Sequence, residues 1–161
     1  MVIILFGVTG AGKTTVGQLL AKELGWTFYD ADAFHSPDNI LKMRQGIPLT
    51  DAARQPWLDS LRTAVSEWVA QGKNIVLACS ALKKSYRQYL RVSSTVQTVY
   101  LKGEPGLIEA RLERRPDHFM NPSLIGSQFD TLEEPARDAM VVEVNKRPEE
   151  IVQEIRSALQ I

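Results

Sequence analysis

The sequence predicts an α/β domain in which five short strands and the helices between them form a doubly wound sheet. Three observations predict it. Short runs rich in β-branched and other apolar residues alternate with longer amphipathic stretches along the chain. Those runs mostly lack polar alternation, which is the pattern of strands covered on both faces of a parallel sheet. The alternation of strand and helix is sustained over five strands, which marks the α/β class. With 161 residues the chain suits one domain with a sizeable core, so residues 1–161 are read as a single domain.

The elements follow in order. Val2–Phe6 (VIILF) is an apolar strand, and Lys13–Leu24 the helix after it. Thr27–Asp30 is the second strand. Ser36 and Pro37 open the helix Pro37–Arg44, as a capping serine followed by proline at the first helical position. In the helix Arg54–Ala70, Trp57, Leu58, Leu61, Ala64, Val65 and Trp68 recur at helical spacing, and such a stripe faces a core. Asn74–Cys79 is the third strand, followed by the helix Lys83–Arg91, and Thr95–Leu101 is the fourth. The helices Gly106–Arg115 and Ser123–Leu132 precede the fifth strand, Met140–Val144, and the helix Pro148–Leu159 closes the pattern.

Composition narrows the function classes. Hydrophobic residues make up 44% and charged residues 24%, a globular balance. Nineteen basic side chains match nineteen acidic ones, so no positive field argues for nucleic acid as the main partner. The VIILF run is too short to span a membrane or to serve as a signal core, and a soluble, cytoplasmic protein is expected. The single cysteine, Cys79, excludes an internal disulfide framework and a cysteine-based zinc cluster; in its apolar run it reads as a small buried residue.

The strongest motif is GVTGAGKT, residues 7–14, which fits G-x-x-x-x-G-K-[ST] at every fixed position. Gly7, Val8, Thr9, Gly10, Ala11 and Gly12 supply backbone N–H groups that turn inward onto phosphate oxygens. Lys13 reaches the β- and γ-phosphates, the Thr14 hydroxyl suits a magnesium ion, and Thr15 follows in the same turn. An apolar strand before the loop and a helix after it complete the context, with the helix N-terminus adding positive potential. The motif implies a nucleoside triphosphate with Mg2+. It leaves the phosphate acceptor open. No N-K-x-D sequence is present to read guanine, and the length leaves little room for GTPase elements.

Two carboxylates follow the second strand, in YDADAFH. In an extended chain Asp30 and Asp32 point to one face, at the carboxyl edge where open α/β sheets bind their ligands. Like charges side by side need a reason. One carboxylate suits the metal, directly or through water, and the other an attacking substrate hydroxyl. The third strand ends in Cys79 and Ser80 rather than an aspartate, so carboxylate help with magnesium has to come from this pair. Asp32 is assigned to the hydroxyl and Asp30 to the metal shell or the substrate, while which of the two contacts the metal stays open at this point.

The segments GVTGAGKT, DADAFHSPDNILKM, GIPLTDAARQPWL, CSALKKSYR, LKG and HFMNPSLIGSQFDTLEEP resemble the gluconate kinases (gluconokinases) in order and spacing. The resemblance runs from Ile4 to about Pro135 and more loosely beyond. CSALKKSYR and SQFDTLEEP are its most specific parts, since the related shikimate kinases and nucleoside monophosphate kinases lack them. It implies ATP-dependent phosphorylation of D-gluconate at the C6 hydroxyl, giving 6-phosphogluconate and ADP. The fold it implies is three-layered, with a five-stranded parallel sheet of nucleoside monophosphate kinase type, a substrate-binding segment at about residues 30–60 and a helical lid at about 111–135. A homodimer is a further expectation from the same source.

A sugar acid carries one carboxylate and several hydroxyls, so its pocket needs a cation and polar groups. Arginine suits the carboxylate through its planar fork. Arg54, Lys83, Lys84 and Arg87 are the cationic candidates, although the last three also read as a solvated helix face. Ser80 offers a hydroxyl or an amide, and His35 is either a hydroxyl partner or a packing histidine. Arg111 and Arg115, at i and i+4 where the resemblance puts the lid, are taken as the arginines that cover the transferring phosphate, ahead of Arg114. His118 and Gln128 fall in the lid as well. The loop after the last strand, with Asn145, Lys146, Arg147 and Pro148, is where this fold often holds the base; adenine over guanine rests on the resemblance.

Overall fold

The computed structural model describes residues 1–114 and 124–161, and a five-stranded, wholly parallel sheet runs through them. Its strands are β1 (Val2–Phe6), β2 (Thr27–Asp30), β3 (Ile75–Ala78), β4 (Val96–Lys102) and β5 (Met140–Glu143), arranged in the order β2-β3-β1-β4-β5. β1 is central: Val2 pairs with Ile75 on one side and with Val96 on the other. The helices are α1 (Lys13–Leu24), α2 (Pro37–Arg44), α3 (Asp51–Ala70), α4 (Lys84–Leu90), α5 (Pro105–Glu113), α6 (Leu124–Thr131) and α7 (Pro148–Leu159).

The three layers follow from the period of two. Along β1 every side chain is buried, and alternate residues serve different cores. Ile3 and Leu5 pack with Leu20 of α1, Ile108 of α5 and Ile151 and Ile155 of α7. Val2, Ile4 and Phe6 pack with Leu58, Leu61 and Val65 of α3 and Leu90 of α4. Burial on both faces holds for β1 and β3 and for most of β4, but not for the edges. β2 alternates exposed and half-buried residues, and β5 buries only Val142 fully. A strand with one neighbour has one side that no other strand covers, and a run of four residues does not announce that position.

Several element boundaries differ from the sequence reading, each for a local reason. α3 starts at Asp51 rather than Arg54, because the Thr50 hydroxyl accepts the Ala53 N–H and caps the helix there. Pro56 is then internal to α3, where it has no N–H to give the helix ladder. α4 is one residue shorter at each end, with Lys83 and Arg91 as its caps, and α5 ends at Glu113. The largest departure follows β2. Ala31–Phe34 form a 3-10 turn, because Asp30 Oδ1 accepts the Asp32 N–H at 2.9 Å. Asp30 and Asp32 therefore do not lie along one extended strand, as the spacing suggested. Among the described residues, no helix is long and apolar enough to cross a membrane.

Candidate active site

The chain order β2-β3-β1-β4-β5 reverses direction about β1, and a loop leaving the carboxyl end of that strand sits where such sheets bind ligands. Residues 7–14 are that loop. Glycine is required in it, at Gly7, where a Cβ would lie 2.7 Å from the Leu101 carbonyl oxygen, and at Gly12, which caps α1 at φ +95°. Val8 and Ala11 turn their side chains into the core, so they contribute backbone only. Lys13 Nζ spans the loop, donating to the carbonyls of Gly7 (2.9 Å) and Val8 (3.0 Å). Thr15 is exposed beside it.

Gln128, on α6, closes over the loop. Its Oε1 accepts the Thr9 N–H at 2.7 Å and its Nε2 donates to Thr9 Oγ1 at 3.1 Å. An amide oxygen thus occupies a backbone donor of the kind that phosphate oxygens use.

The two aspartates differ in their hydrogen bonding. Thr14 Oγ1 donates to Asp30 Oδ2 at 3.2 Å, while Asp30 Oδ1 holds the Asp32 N–H. Asp30 is thereby fixed beside the Thr14 hydroxyl. Asp32, by contrast, makes no side-chain hydrogen bond among the described residues and lines the adjoining cavity. Burial raises its pKa from 3.8 to about 6, the charge on Asp30 adds to the shift, and Lys13 opposes it.

That cavity runs from Thr9, Gly10, Gly12, Lys13 and Thr14 past both aspartates to His35, Arg54 and Ser80, with Gln128 of α6 on its wall. His35 is 9% exposed and stacks on Trp57 with ring centroids 4.3 Å apart. Burial, then the charge of Arg54, lowers its pKa from 6.5 to about 4, so its ring is neutral at pH 7. Trp57 Nε1 donates to the Ala31 carbonyl at 2.7 Å, which ties α3 to the turn that carries Asp32. Arg54 Nη1 donates to the Tyr86 hydroxyl at 3.3 Å.

Three cationic candidates are not in the cavity. Lys83 is committed to Asp51, at 2.8 and 3.0 Å, and Lys84 is exposed. Arg87 is 1% exposed and donates to the carbonyls of Ala81, Leu82 and Glu133. The expectation that Arg87 touches substrate is corrected: packing turns its fork inward. Arg111 donates to the Val144 carbonyl, and its Nη1 is 3.9 Å from where a Cβ on Gly12 would sit, so it bridges the phosphate loop and the loop after β5. In that second loop Lys146 pairs with Glu154 at 2.6 Å, Arg147 with Glu150 at 3.1 Å, Asn145 is exposed and Pro148 begins α7. Arg115 and His118 lie outside the described residues.

The sequence reading missed Tyr86, Met43, Leu49, Ser127 and Thr131 as cavity wall. Trp57 was legible as core, and it is core at 4% exposure, but it is wall as well. Among the described residues no three carboxylate, imidazole or thiol groups gather as a metal cage. The donor set that remains, one hydroxyl beside one carboxylate, is that of a magnesium ion completed by phosphate and water.

A phosphate loop opening onto a carboxylate-bearing cavity is the arrangement of the phosphate-loop small-molecule kinases. A family model described as shikimate kinase matches residues 9–160. The gluconokinase of Gluconobacter oxydans (strain 621H) is 44% identical over 156 residues, covering 95% of this chain and 88% of that protein. Among solved structures, an unliganded sugar kinase from Janibacter sp. HTCC2649 has a TM-score of 0.93 at 40% identity, covering 99% of this chain and 94% of that one. A gluconokinase from Sinorhizobium meliloti 1021 has a TM-score of 0.84 at 41% identity, covering 98% and 90%. The chain belongs to the gluconokinase family, within the wider group that the shikimate kinase model describes.

Proposed function

We propose that this protein transfers the γ-phosphoryl group of ATP to the C6 hydroxyl of D-gluconate, releasing 6-phosphogluconate and ADP. The observation that carries the reading is the divided carboxylate pair, with Asp30 bonded to the Thr14 hydroxyl and Asp32 half-buried, without a side-chain hydrogen bond among the described residues and raised to about 6 in the cavity beside the phosphate loop. The substrate identity comes from the family.

In this reading Lys13 and the loop amides hold the β- and γ-phosphates, exchanging the carbonyl bonds of Lys13 for phosphate oxygens. Thr14 and Asp30 would hold Mg2+, which would supply charge neutralisation. Asp32 accepts the proton of the attacking hydroxyl as the new P–O bond forms and the bond to the ADP oxygen breaks. Arg54 takes the gluconate carboxylate, neutral His35 and Ser80 take hydroxyls, and Gln128 withdraws from Thr9 when phosphate arrives. Arg111 faces the nucleotide from the far side, and Asn145 to Pro148 flank its base. Residues 30–60 form the acceptor segment, and 111–135 the lid, with Arg115 and His118 in it. A homodimer and a cytoplasmic location belong to the same proposal.

The family model's own description favours one rival acceptor, shikimate. ADP release from Mg-ATP is therefore measured with no acceptor, with D-gluconate and with shikimate. Strong stimulation by gluconate alone is expected. Stimulation by shikimate alone would replace the acceptor, and rapid ADP release unaffected by either would replace the kinase reading with a nucleotide-driven module.

A further inference from the structure

Arg87 is the largest fully buried side chain in the described protein and the one fully buried charge among those described. Its bonds join three pieces of the molecule. Nη1 donates to the carbonyls of Ala81 and Leu82, each at 3.0 Å, and both residues are cavity wall. Nη2 donates at 2.7 Å to the carbonyl of Glu133, two residues beyond the end of α6, the helix that carries Gln128 and Thr131 into the cavity. The guanidinium carbon lies 4.5 Å from the ring centroid of Phe6, the last residue before the phosphate loop. Asp138 is 3.8 Å from Nε, too far for a hydrogen bond, and among the described residues Nε has no other partner.

A buried cation with one unsatisfied N–H is an expensive group to retain for packing alone. The turn it grips is itself unusual. Ala81 has φ +31°, a left-handed value that a residue with a Cβ adopts only when its surroundings impose it. Leu82 O also accepts the Glu133 N–H at 2.8 Å, and Glu133 Oε1 accepts the Lys84 N–H at 2.8 Å, so turn, lid return and α4 meet at one knot. A planar fork serves three carbonyls at once, which an ammonium point charge does not.

We infer that Arg87 is a positioning residue for the acceptor: it holds the strained Ser80–Leu82 wall in its left-handed turn and locks that wall to the segment returning from the lid. The inference rests on the reading that the phosphate acceptor binds against this wall.

The test uses wild type, R87K, A81G and the double variant, with KM measured separately for D-gluconate and ATP and thermal unfolding measured for each. R87K is expected to raise the gluconate KM on the order of tenfold, the loss of one charge-assisted hydrogen bond, with the ATP KM within about twofold. Glycine takes a positive φ without strain, so the rise caused by R87K is expected to be several-fold smaller in the A81G background. If R87K does not fold alone, A81G must restore its folding. An R87K variant that loses active fraction with both KM values unchanged, or shifts both alike, overturns the inference. Independent, multiplying effects of the two substitutions, or a double variant that stays unfolded, also overturn it. A wild type that fails to phosphorylate gluconate refutes the functional reading instead, before Arg87 is at issue.

Discussion

Replacing Asp32 by asparagine is expected to make the nucleotide-free protein more stable while stopping its chemistry. The native carboxyl ionises near pH 6 and the unfolded one near 3.8. Between those values the native state holds a proton that the unfolded chain has lost, so stability falls as pH rises through the window. Above it the full difference applies: somewhat over two pH units at 1.36 kcal/mol each, about 3 kcal/mol as an upper bound. Asparagine has nothing to ionise. Asp32→Asn should therefore gain up to about 3 kcal/mol at pH 8, shrinking to about 1 kcal/mol at pH 4.5. For a chain of this size the upper bound at pH 8 corresponds to roughly 6–12 °C in Tm. Urea unfolding at the two pH values measures it. His35 contributes the opposite slope: its pKa falls from 6.5 to about 4, so its share of stability is present above 6.5 and lost as pH drops towards 4. The two terms offset in the wild type, and Asp32→Asn should expose a stability that rises with pH between 4 and 6.5. A variant no more stable than wild type at pH 8, or one with an equal gain at both pH values, would refute the claim that buried charge at Asp32 is the cause.

The same substitution should lower kcat by about 10²–10⁴ while changing the gluconate KM little, since a base acts in the transition state; a kcat within about twofold of wild type would remove Asp32 from that role. In the wild type, kcat/KM for gluconate should fall below pH about 6, where Asp32 takes up a proton, and a profile flat down to pH 5 would contradict the assignment. Lys13→Ala should lose turnover with the fold retained by circular dichroism, because the Lys13 ammonium is held by loop carbonyls rather than by the core; wild-type turnover would refute the phosphate-loop role. Arg54→Ala should raise the gluconate KM by one to two orders of magnitude, the effect of a lost charged hydrogen bond, and leave the ATP KM in place; equal shifts in both would argue against a carboxylate contact.

What the sequence made legible was whatever is encoded locally. The phosphate loop, its strand and its helix are contiguous, and glycine spacing states the backbone demand directly. The Ser36 cap and Pro37 opening of α2 are equally local, and Ser36 Oγ does accept the Asn39 N–H. What was not legible depends on which surface a residue finally meets. Arg54 and Arg87 are both arginines in helical segments near the pocket, yet one lines the cavity and the other is sealed against Phe6 and three carbonyls. Nothing in their neighbours separates them; the strand order does. Trp57 shows the same limit, since helical spacing marks a buried face without saying that a cavity adjoins it. The turn at Ala31–Phe34 was hidden for another reason. It is set by one side-chain acceptor on Asp30, a choice that no hydrophobic period reports.

The arrangement of charges explains why His35 has to be neutral. It lines the same cavity as Asp32, and a protonated imidazole there would favour the carboxylate and pull the Asp32 pKa back towards its ordinary value. Asp32 would then ionise more readily and accept a proton less readily, since a general base works best with a pKa near the operating pH. Burial on Trp57 lowers the His35 pKa first, and Arg54 adds to the effect. On the proposed function Arg54 has two consequences from one position: it would offer a cation to the acceptor carboxylate, and it helps keep the neighbouring ring from becoming a second cation. On the proposed function, the raised pKa that makes Asp32 destabilising in the empty protein is therefore the property that suits it to chemistry, and among the described residues Lys13 is the group that opposes it.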